Sequence, residues 1–561
     1  MTPEHAVSAA DPAAGQSVHA ASASAEGSAS RWFADPWCWA IVALSAFLLF
    51  YQLGQRPFWQ DEAETACLAK NVLKYGLPRV TDGVNIISQE QGREYGPDLI
   101  WAWSPWMQIY VSALGLKIGG LNTFAGRFPF ALAGVICVLL TYRLVRVHFR
   151  DVQWARLAAL FLTLCVPFLL FGRQNRYYTL GAILTILSLE AFIPRRATSA
   201  ANVLAGVSMG LMFHANYLLL FSFGPAIVVA KCLVERQLPR FKDLLIMGGC
   251  AMVIIVPGFM MYGIGKQGGM LDFTKIPANI GNYFADFVQF MLPLPVAVYL
   301  VWRWRRFFLA CMLKHAPEDR GERMVLLMAL TMLGSVLILA LIPQRFLRYL
   351  VHLYPLLAVM LAWLCLKIWR NHKPCGALLA GLLLLTNWMH IIPMEVLGIV
   401  NRPWQTDPQM LAYPNIPIRL LLTEMVHGYP DVNARLIDFF KEHARKDDTI
   451  LISYGDLPLQ FYTDFKILGG LRADDPDAVN NPEWLVKRSV SRTDRDGFLV
   501  QSDDVILNVL HLERDYDRID LDAADDMFGN RADPYYHQFV PQEEPYQALV
   551  VYRRKDLRDR Q

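Results

Sequence analysis

The chain has 561 residues, of which 54% are hydrophobic, 12% aromatic and 18% charged, with a formal net charge of +3. So small a charge, with the basic residues spread over many short segments, excludes a nucleic-acid partner gripped by a basic face. The apolar residues fall in repeated blocks of about twenty, the length that crosses a bilayer, which excludes an ordinary soluble globule and predicts a polytopic α-helical membrane protein.

Residues 1–30 are rich in Ala and Ser and lack an apolar core, so they read as a disordered cytoplasmic tail and not as a cleaved signal peptide. The apolar blocks then predict about eleven transmembrane helices, at 37–54, 126–145, 154–172, 177–193, 201–219, 221–235, 244–262, 281–301, 323–343, 349–368 and 374–393. Basic clusters at Arg143/Arg146/Arg150, Arg195/Arg196, Arg236/Arg240/Lys242, Arg303/Arg305/Arg306 and Lys367/Arg370/Lys373 all fall on one side of this map. Short loops rich in Lys and Arg stay in the cytoplasm, so the N-terminus is expected inside and the C-terminus outside, with span one an uncleaved anchor. The membrane domain is expected over 31–400.

The first outer loop, 55–125, opens with FWQDEAETACLAKNVLKYG, which sets Asp61, Glu62 and Glu64 just past the first apolar block. Asp61 and Glu64 have the spacing of a helix N-cap and its third-position acid, the pattern of a capping box. The helix they would open, Glu62 to Tyr75, turns Ala66, Ala69, Val72 and Leu73 one way and Glu62, Lys70 and Lys74 elsewhere, as a juxtamembrane surface helix does. Further on, LIWAWSPWMQIYVSALGL carries Trp101, Trp103 and Trp106 around Pro105 and reads as an interfacial aromatic belt.

Several arginines sit on the side that the positive-inside rule keeps poor in them: Arg127 at the outer end of span two, Arg173 and Arg176 between spans three and four, and Arg345 and Arg348 between spans nine and ten. Arginine suits a phosphate because its planar fork donates two parallel hydrogen bonds and keeps its charge near lipid. Snorkelling to outer headgroups is the plainer explanation. The three-residue spacing of Arg345 and Arg348 in QRFLRY, one face of a helix start, weakens it. Tyr177 and Tyr178 in NRYY are candidates to hydrogen-bond a sugar or phosphate, or else interfacial anchors. His214, near the outer end of a span, is a functional candidate by its ionisable character, against the alternative of a single bond to a carbonyl. His214, His352, Glu94 and Asp98 could together hold a divalent ion, but none has metal-ligand spacing, so no metal site is assigned.

From about Asn401 the spans stop and charge rises. DVNARLIDFFKEHARKDD has helical apolar spacing, TILISYG reads as a buried strand and DVILNVLHL as the start of another element, so 401–561 is expected to be an α/β domain outside the membrane. The nine cysteines are scattered, mostly in predicted spans, with none after Cys375, so this domain has no disulfide framework. YGDLPLQFYTDF and NRADPYYHQF gather Tyr, Asp and His, and suggest a lid or acceptor-guiding module.

A first span, then DEAETACLAKNVLKYG, then WSPWMQIY, then GRFPFALAGV opening the second span, resembles the membrane glycosyltransferases of the C superfamily. The likeness is to the protein O-mannosyltransferases and to the bacterial transferases that add aminoarabinose or galacturonic acid to lipid A. GRQNRYYTLGAILTILSLEAF and QRFLRYLVHLYPLLAVML are similar to further segments of that family, so the likeness runs over roughly 35–395. Where the family often has a Pro-Pro pair after His or Lys, this chain has Ser104-Pro105-Trp106. The resemblance implies an inverting transfer of a sugar from a polyprenyl phosphate or dolichyl phosphate donor to a protein, lipid A or glycan at the outer face of a bacterial inner membrane. An acid in the first outer loop would be the base.

Chemistry alone asks for the same parts. A hydroxyl attacks well only when a placed carboxylate takes its proton, and a departing phosphate needs cations. Asp61 is the expected base with Glu62 as runner-up, and Arg127, Arg173, Arg176, Tyr177, Tyr178, His214, Arg345 and Arg348 are the expected donor-binding set. The alternative is a transporter or lipid flippase, which would show paired broken helices and an internal repeat. An oligosaccharide ligase using pyrophosphate-linked donors would carry a large loop between late spans, and the loop between spans nine and ten is short.

Overall fold

The structure is a computed structural model that describes residues 32–560 apart from 91, 265–272, 311–318, 343–344, 399–413, 429–430, 470–481, 489–510, 527–530 and 541–545. The expected tail at 1–30 and nearly all of DVILNVLHL lie outside the described residues.

Five helices are long and apolar enough to cross a membrane by length and composition: Thr123–Phe149, Tyr217–Glu235, Phe241–Met261, Arg320–Leu339 and the helical run Leu347–Asn371. Two bent pairs raise the number to seven if each pair is one span. Val152–Thr163 meets Val166–Gly172 at 63°, and Ile276–Phe290 meets the next helix at 108°. The blocks 154–172 and 281–301, expected as single helices, are therefore broken. Pro167 and Pro293 stand at the breaks, where a ring without an N–H cannot continue the hydrogen-bond ladder. Four shorter apolar helices, Pro36–Phe50, Tyr178–Leu189, Ser199–Ala215 and Lys373–Leu385, fall on the remaining blocks. They stop short for local reasons. Asn216, for example, ends one helix in extended backbone and caps the next by accepting a bond from the Leu218 N–H.

The helices bury one large apolar core. Their outer faces stay apolar: Val253, Met260 and Phe241 are each at least three-quarters exposed, the arrangement of a surface that meets lipid and not water.

In the first outer loop a helix runs Gln60–Tyr75 and ends at Gly76, whose φ of 77° is the left-handed conformation that glycine takes without a Cβ penalty. Its N-cap is Trp59 and no side chain caps it. The expected capping box is thus corrected: the helix starts one residue before Asp61, so Asp61 lies inside the first turn and Glu64 turns to other partners. The surface-helix expectation is corrected too. Glu62, Glu64, Ala66, Leu68, Ala69 and Asn71 are all buried, while Leu73 is exposed. The helix is a wedge covered on most of its sides. Trp101 and Trp106 pack into the same small core and are buried, so they are not an interfacial belt. The Trp106 indole N–H donates to the Trp101 carbonyl at 2.9 Å.

Beyond the membrane helices a five-stranded sheet forms, in the order β2 (Lys466–Gly469), β1 (Thr449–Ile452), β3 (Trp484–Lys487), β5 (Ala548–Arg554), β4 (Tyr516–Ala524). β1 pairs in parallel with β2 and β3, and β5 runs antiparallel to β3 and β4. The helix Val432–His443 and strand β1 arise where the sequence expected them. Leu436, Phe440, Ile450, Ile452, Trp484 and Val551 form the core between helix and sheet.

The short helix Asp456–Tyr462 of this region seats on the Gln60–Tyr75 helix. Gln60 Nε2 donates to the Asp456 carboxylate at 2.6 Å, and the Tyr462 hydroxyl accepts from the Phe58 N–H at 3.0 Å. Leu457 and Phe461 complete the apolar contact.

Candidate active site

Asp61 projects from the first turn of the Gln60–Tyr75 helix with about one-sixth of its side chain exposed. Its Oδ2 accepts from Arg348 Nη1 at 2.5 Å and lies 4.0 Å from Arg176 Nη2. Arg348 comes from a turn of 3-10 helix, Leu347–Leu353, and its guanidinium lies 4.2 Å from the centre of the Phe346 ring. A cation held against an aromatic face keeps its charge and its direction.

Arg176 fixes the other flank. Its Nη1 donates to the Asp61 carbonyl at 2.9 Å, to Thr65 Oγ1 at 3.0 Å and to Glu64 Oε1 at 3.1 Å. Burial pushes the Glu64 carboxyl up to about 7, against the pull of Arg176, with the Asp61 charge adding to the rise. Tyr177 and Tyr178 follow Arg176 directly, and both are buried. Among the described residues the Tyr178 hydroxyl has no hydrogen-bond partner, and it stands in the fields of Arg348, Arg176 and Asp61. A buried hydroxyl without a partner costs free energy, so this one is placed to gain from a polar ligand.

The other expected residues are shared out among separate partners. Glu62, fully buried, takes a two-pronged bond from Arg127 at 2.8 and 2.6 Å and a further bond from the Asn175 N–H at 2.7 Å. Arg127 spends its remaining N–H groups on the carbonyls of Leu53, Arg56 and Pro57. Arg173 donates to the carbonyls of Leu48 and Leu49 and lines a polar pocket with Arg56, Arg127, Glu424 and His537. Burial, with Arg127 nearby, draws its guanidinium down to about 10. Arg345 pairs with Asp286 at 2.5 Å, so Arg345 and Arg348 do not share a face as their spacing suggested. His214 is satisfied on both sides: Nε2 at 2.8 Å from the Ile254 carbonyl, Nδ1 at 2.7 Å from the Tyr262 hydroxyl. The carbonyl can only accept, so Nε2 carries the proton and Nδ1 accepts from Tyr262.

The grouping of His214, His352, Glu94 and Asp98 is not brought together. Glu94 accepts from Ser88 and from the N–H groups of Gln89 and Glu90 within its own loop. Among the described residues no three His, Cys, Asp or Glu side chains form a metal-binding group.

The segment 531–540 from the C-terminal region closes over this cluster. The Asp533 side chain lies in the fields of Arg348 and Asp61, and burial pushes its carboxyl up. Tyr535 donates to Asp286 and packs edge-on against Phe290, and Gln174 Nε2 donates to the Ala532 carbonyl at 2.5 Å. Arg531 stacks on Trp59 and Tyr536, with 5.0 and 4.4 Å to the ring centres. Asp286 was missed as a site residue, whereas Asp533 lies in NRADPYYHQF, a segment that the sequence singles out, though without naming Asp533 for the site. The signal for Asp286 was an acid within an apolar run, YFADFVQF, and intramembrane acids are functional candidates by default.

Residues 104–261 match the family model described as dolichyl-phosphate-mannose-protein mannosyltransferase. No curated protein matches the chain. Among solved structures, ArnT from Cupriavidus metallidurans bound to undecaprenyl phosphate is similar with a TM-score of 0.50 and 15% identity, over 92% of this chain and 98% of that one. ArnT in the apo state gives 0.52 and 15% identity, over 81% and 93%. The family match at 104–261 and the ArnT-like fold over most of the chain agree with the resemblance carried by the sequence motifs: residues 104–261 are similar to the dolichyl-phosphate-mannose-protein mannosyltransferases, and they sit within a membrane fold similar to that of ArnT.

Proposed function

We propose that the protein transfers a sugar, with inversion, from a polyprenyl-phosphate donor to a hydroxyl of a protein, lipid A or glycan at the outer face of a bacterial inner membrane. The observation that carries this is the meeting of Asp61 with Arg348 and Arg176 at the mouth of the Gln60–Tyr75 helix. The solved ArnT relative is described with undecaprenyl phosphate, and a donor of that kind meets two arginines here. The donor phosphate competes with Asp61 for Arg348 and draws that guanidinium off the carboxylate. Asp61 is then the stronger base, placed to accept the proton of the acceptor hydroxyl as the C1–phosphate bond breaks. The negative charge that builds on the phosphate is held by Arg348 and Arg176, with the Tyr178 hydroxyl as a further donor.

Glu62 is less suited to the same part, because it is sealed and both its oxygens are already taken. The transport alternative has nothing comparable in its favour, since the family match speaks for transfer. The topology that fits this function has eleven spans, N-terminus inside and C-terminus outside. In this reading the four shorter apolar helices also cross, in addition to the five long helices and the two bent pairs. The domain limits of 31–400 for the membrane part and 401–561 for the outer part go with it, and the 531–540 segment serves as the acceptor-guiding lid.

The test is transfer in proteoliposomes supplied with polyprenyl-phosphate sugar, with the anomeric configuration of the product read by NMR. Transfer with inversion is expected. Retention of configuration, or movement of donor across the bilayer without transfer, would overturn the proposal.

A further inference from the structure

Far from Asp61, the ends of three helices and the segment 191–197 enclose a second polar site. The helices Ser199–Ala215, Tyr217–Glu235 and Phe241–Met261 have 17, 19 and 21 residues, so at 1.5 Å per residue they span about 25 to 31 Å. One end of this bundle carries His214, Tyr217 and Tyr262, close to the first outer loop. The other opens on a cavity of about 500 Å³ lined by Arg195, Arg196, Lys231, Glu235, Arg240 and Asp243. The two ends are about one hydrocarbon thickness apart.

The charges in this cavity do not balance. Lys231 lies 3.3 Å from Glu235, Arg323 3.4 Å and Arg195 3.6 Å, so three cations converge on one carboxylate. Arg240 takes Asp243 at 2.9 Å, and the exposed Arg196 adds a further positive charge. Lys231 is fixed in place although its side chain is nine-tenths buried. It donates to the Phe192 and Pro194 carbonyls at 2.7 and 2.8 Å. Asn202 also lines the cavity and donates to Asp243 at 2.9 Å.

Leu238, which lines the cavity, is 85% exposed, and on the helix that follows it Phe241 is 80% and Leu245 62% exposed. A free anion would gain nothing from these side chains, whereas acyl chains would cover them. We propose that this cavity is a binding site for an anionic phospholipid, with the phosphodiester held by Arg195 and Arg196 in the positive field of Lys231 and the chains running from Leu238 over the exposed Phe241 and Leu245. Nothing in it depends on the Asp61 chemistry.

The experiment is native mass spectrometry of the full-length protein in neutral detergent, titrated in turn with phosphatidylglycerol, phosphatidylcholine and inorganic phosphate. Phosphatidylglycerol is expected to bind at least about tenfold more tightly than phosphatidylcholine, and phosphate alone not measurably. The double variant Arg195→Gln, Arg196→Gln alters only exposed side chains. It is expected to weaken phosphatidylglycerol binding by about fivefold per residue, leave phosphatidylcholine unchanged and keep the wild-type melting temperature. Equal affinity for the two lipids, or phosphatidylglycerol binding by the double variant within twofold of wild type, overturns the proposal. Inorganic phosphate binding as tightly as phosphatidylglycerol overturns the lipid as its ligand.

Discussion

Asp61, Glu62 and Glu64 lie within about one turn of a single helix, yet each meets a different environment. Glu62 is spent on holding Arg127, the loop 53–57 and Asn175 together. Arg127→Met is expected to destabilise the protein by about 3–5 kcal/mol, read by chemical unfolding in detergent, because it leaves the Glu62 charge buried and unpaired. Glu64 sets a pH dependence. Its carboxyl is raised from 4.5 to about 7 by burial, so between those values the folded state holds a proton that the unfolded state has released, and stability falls as pH rises. Glu64→Gln removes that titration. Wild type should lose stability relative to the variant as pH climbs from 4.5 to 7, on the order of 3 kcal/mol in all, and a flat difference across that range would contradict the assignment. The Asp61 neighbourhood was legible in the sequence, since the loop acid and the misplaced arginines were expected to face each other. The division of those arginines was not. Arg348 meets Asp61 across 287 residues and Arg345 turns to Asp286 instead, a choice made by packing and not by local spacing.

The elements repeat this pattern one level up. The apolar blocks marked nearly every membrane helix, because burial and lipid contact both demand long apolar runs. The Gln60–Tyr75 helix was found but misjudged. Its polar face looked solvent-exposed only because the sequence does not reveal that a distant region covers it. Tight approaches between neighbouring elements were also hidden. A Cβ at Gly115 would stand 2.3 Å from the Ala125 carbonyl oxygen, which is backbone and cannot yield. Gly115→Ala should therefore push the Met107–Gly119 helix off Thr123–Phe149, at a cost of about 1–3 kcal/mol seen as a lower melting temperature. Gly248, with open space around it, serves as the control.

At the scale of the whole molecule, the α/β region packs against the Asp61 cluster through the Asp456–Tyr462 helix and the 531–540 segment. Tyr462→Phe leaves the Phe58 N–H without its acceptor and should cost about 1–3 kcal/mol, measured as a fall in melting temperature. The central claim remains the division of labour between Asp61 and its arginines. The measurement that tests it most directly is a single-turnover transfer assay, run beside donor-lipid binding, on Asp61→Asn and Arg348→Gln. Asp61→Asn should slow transfer at least about a hundredfold while holding donor lipid within about threefold of wild type, and Arg348→Gln should weaken donor binding about tenfold or more. Transfer by Asp61→Asn within threefold of wild type would remove Asp61 from the chemistry and contradict the account.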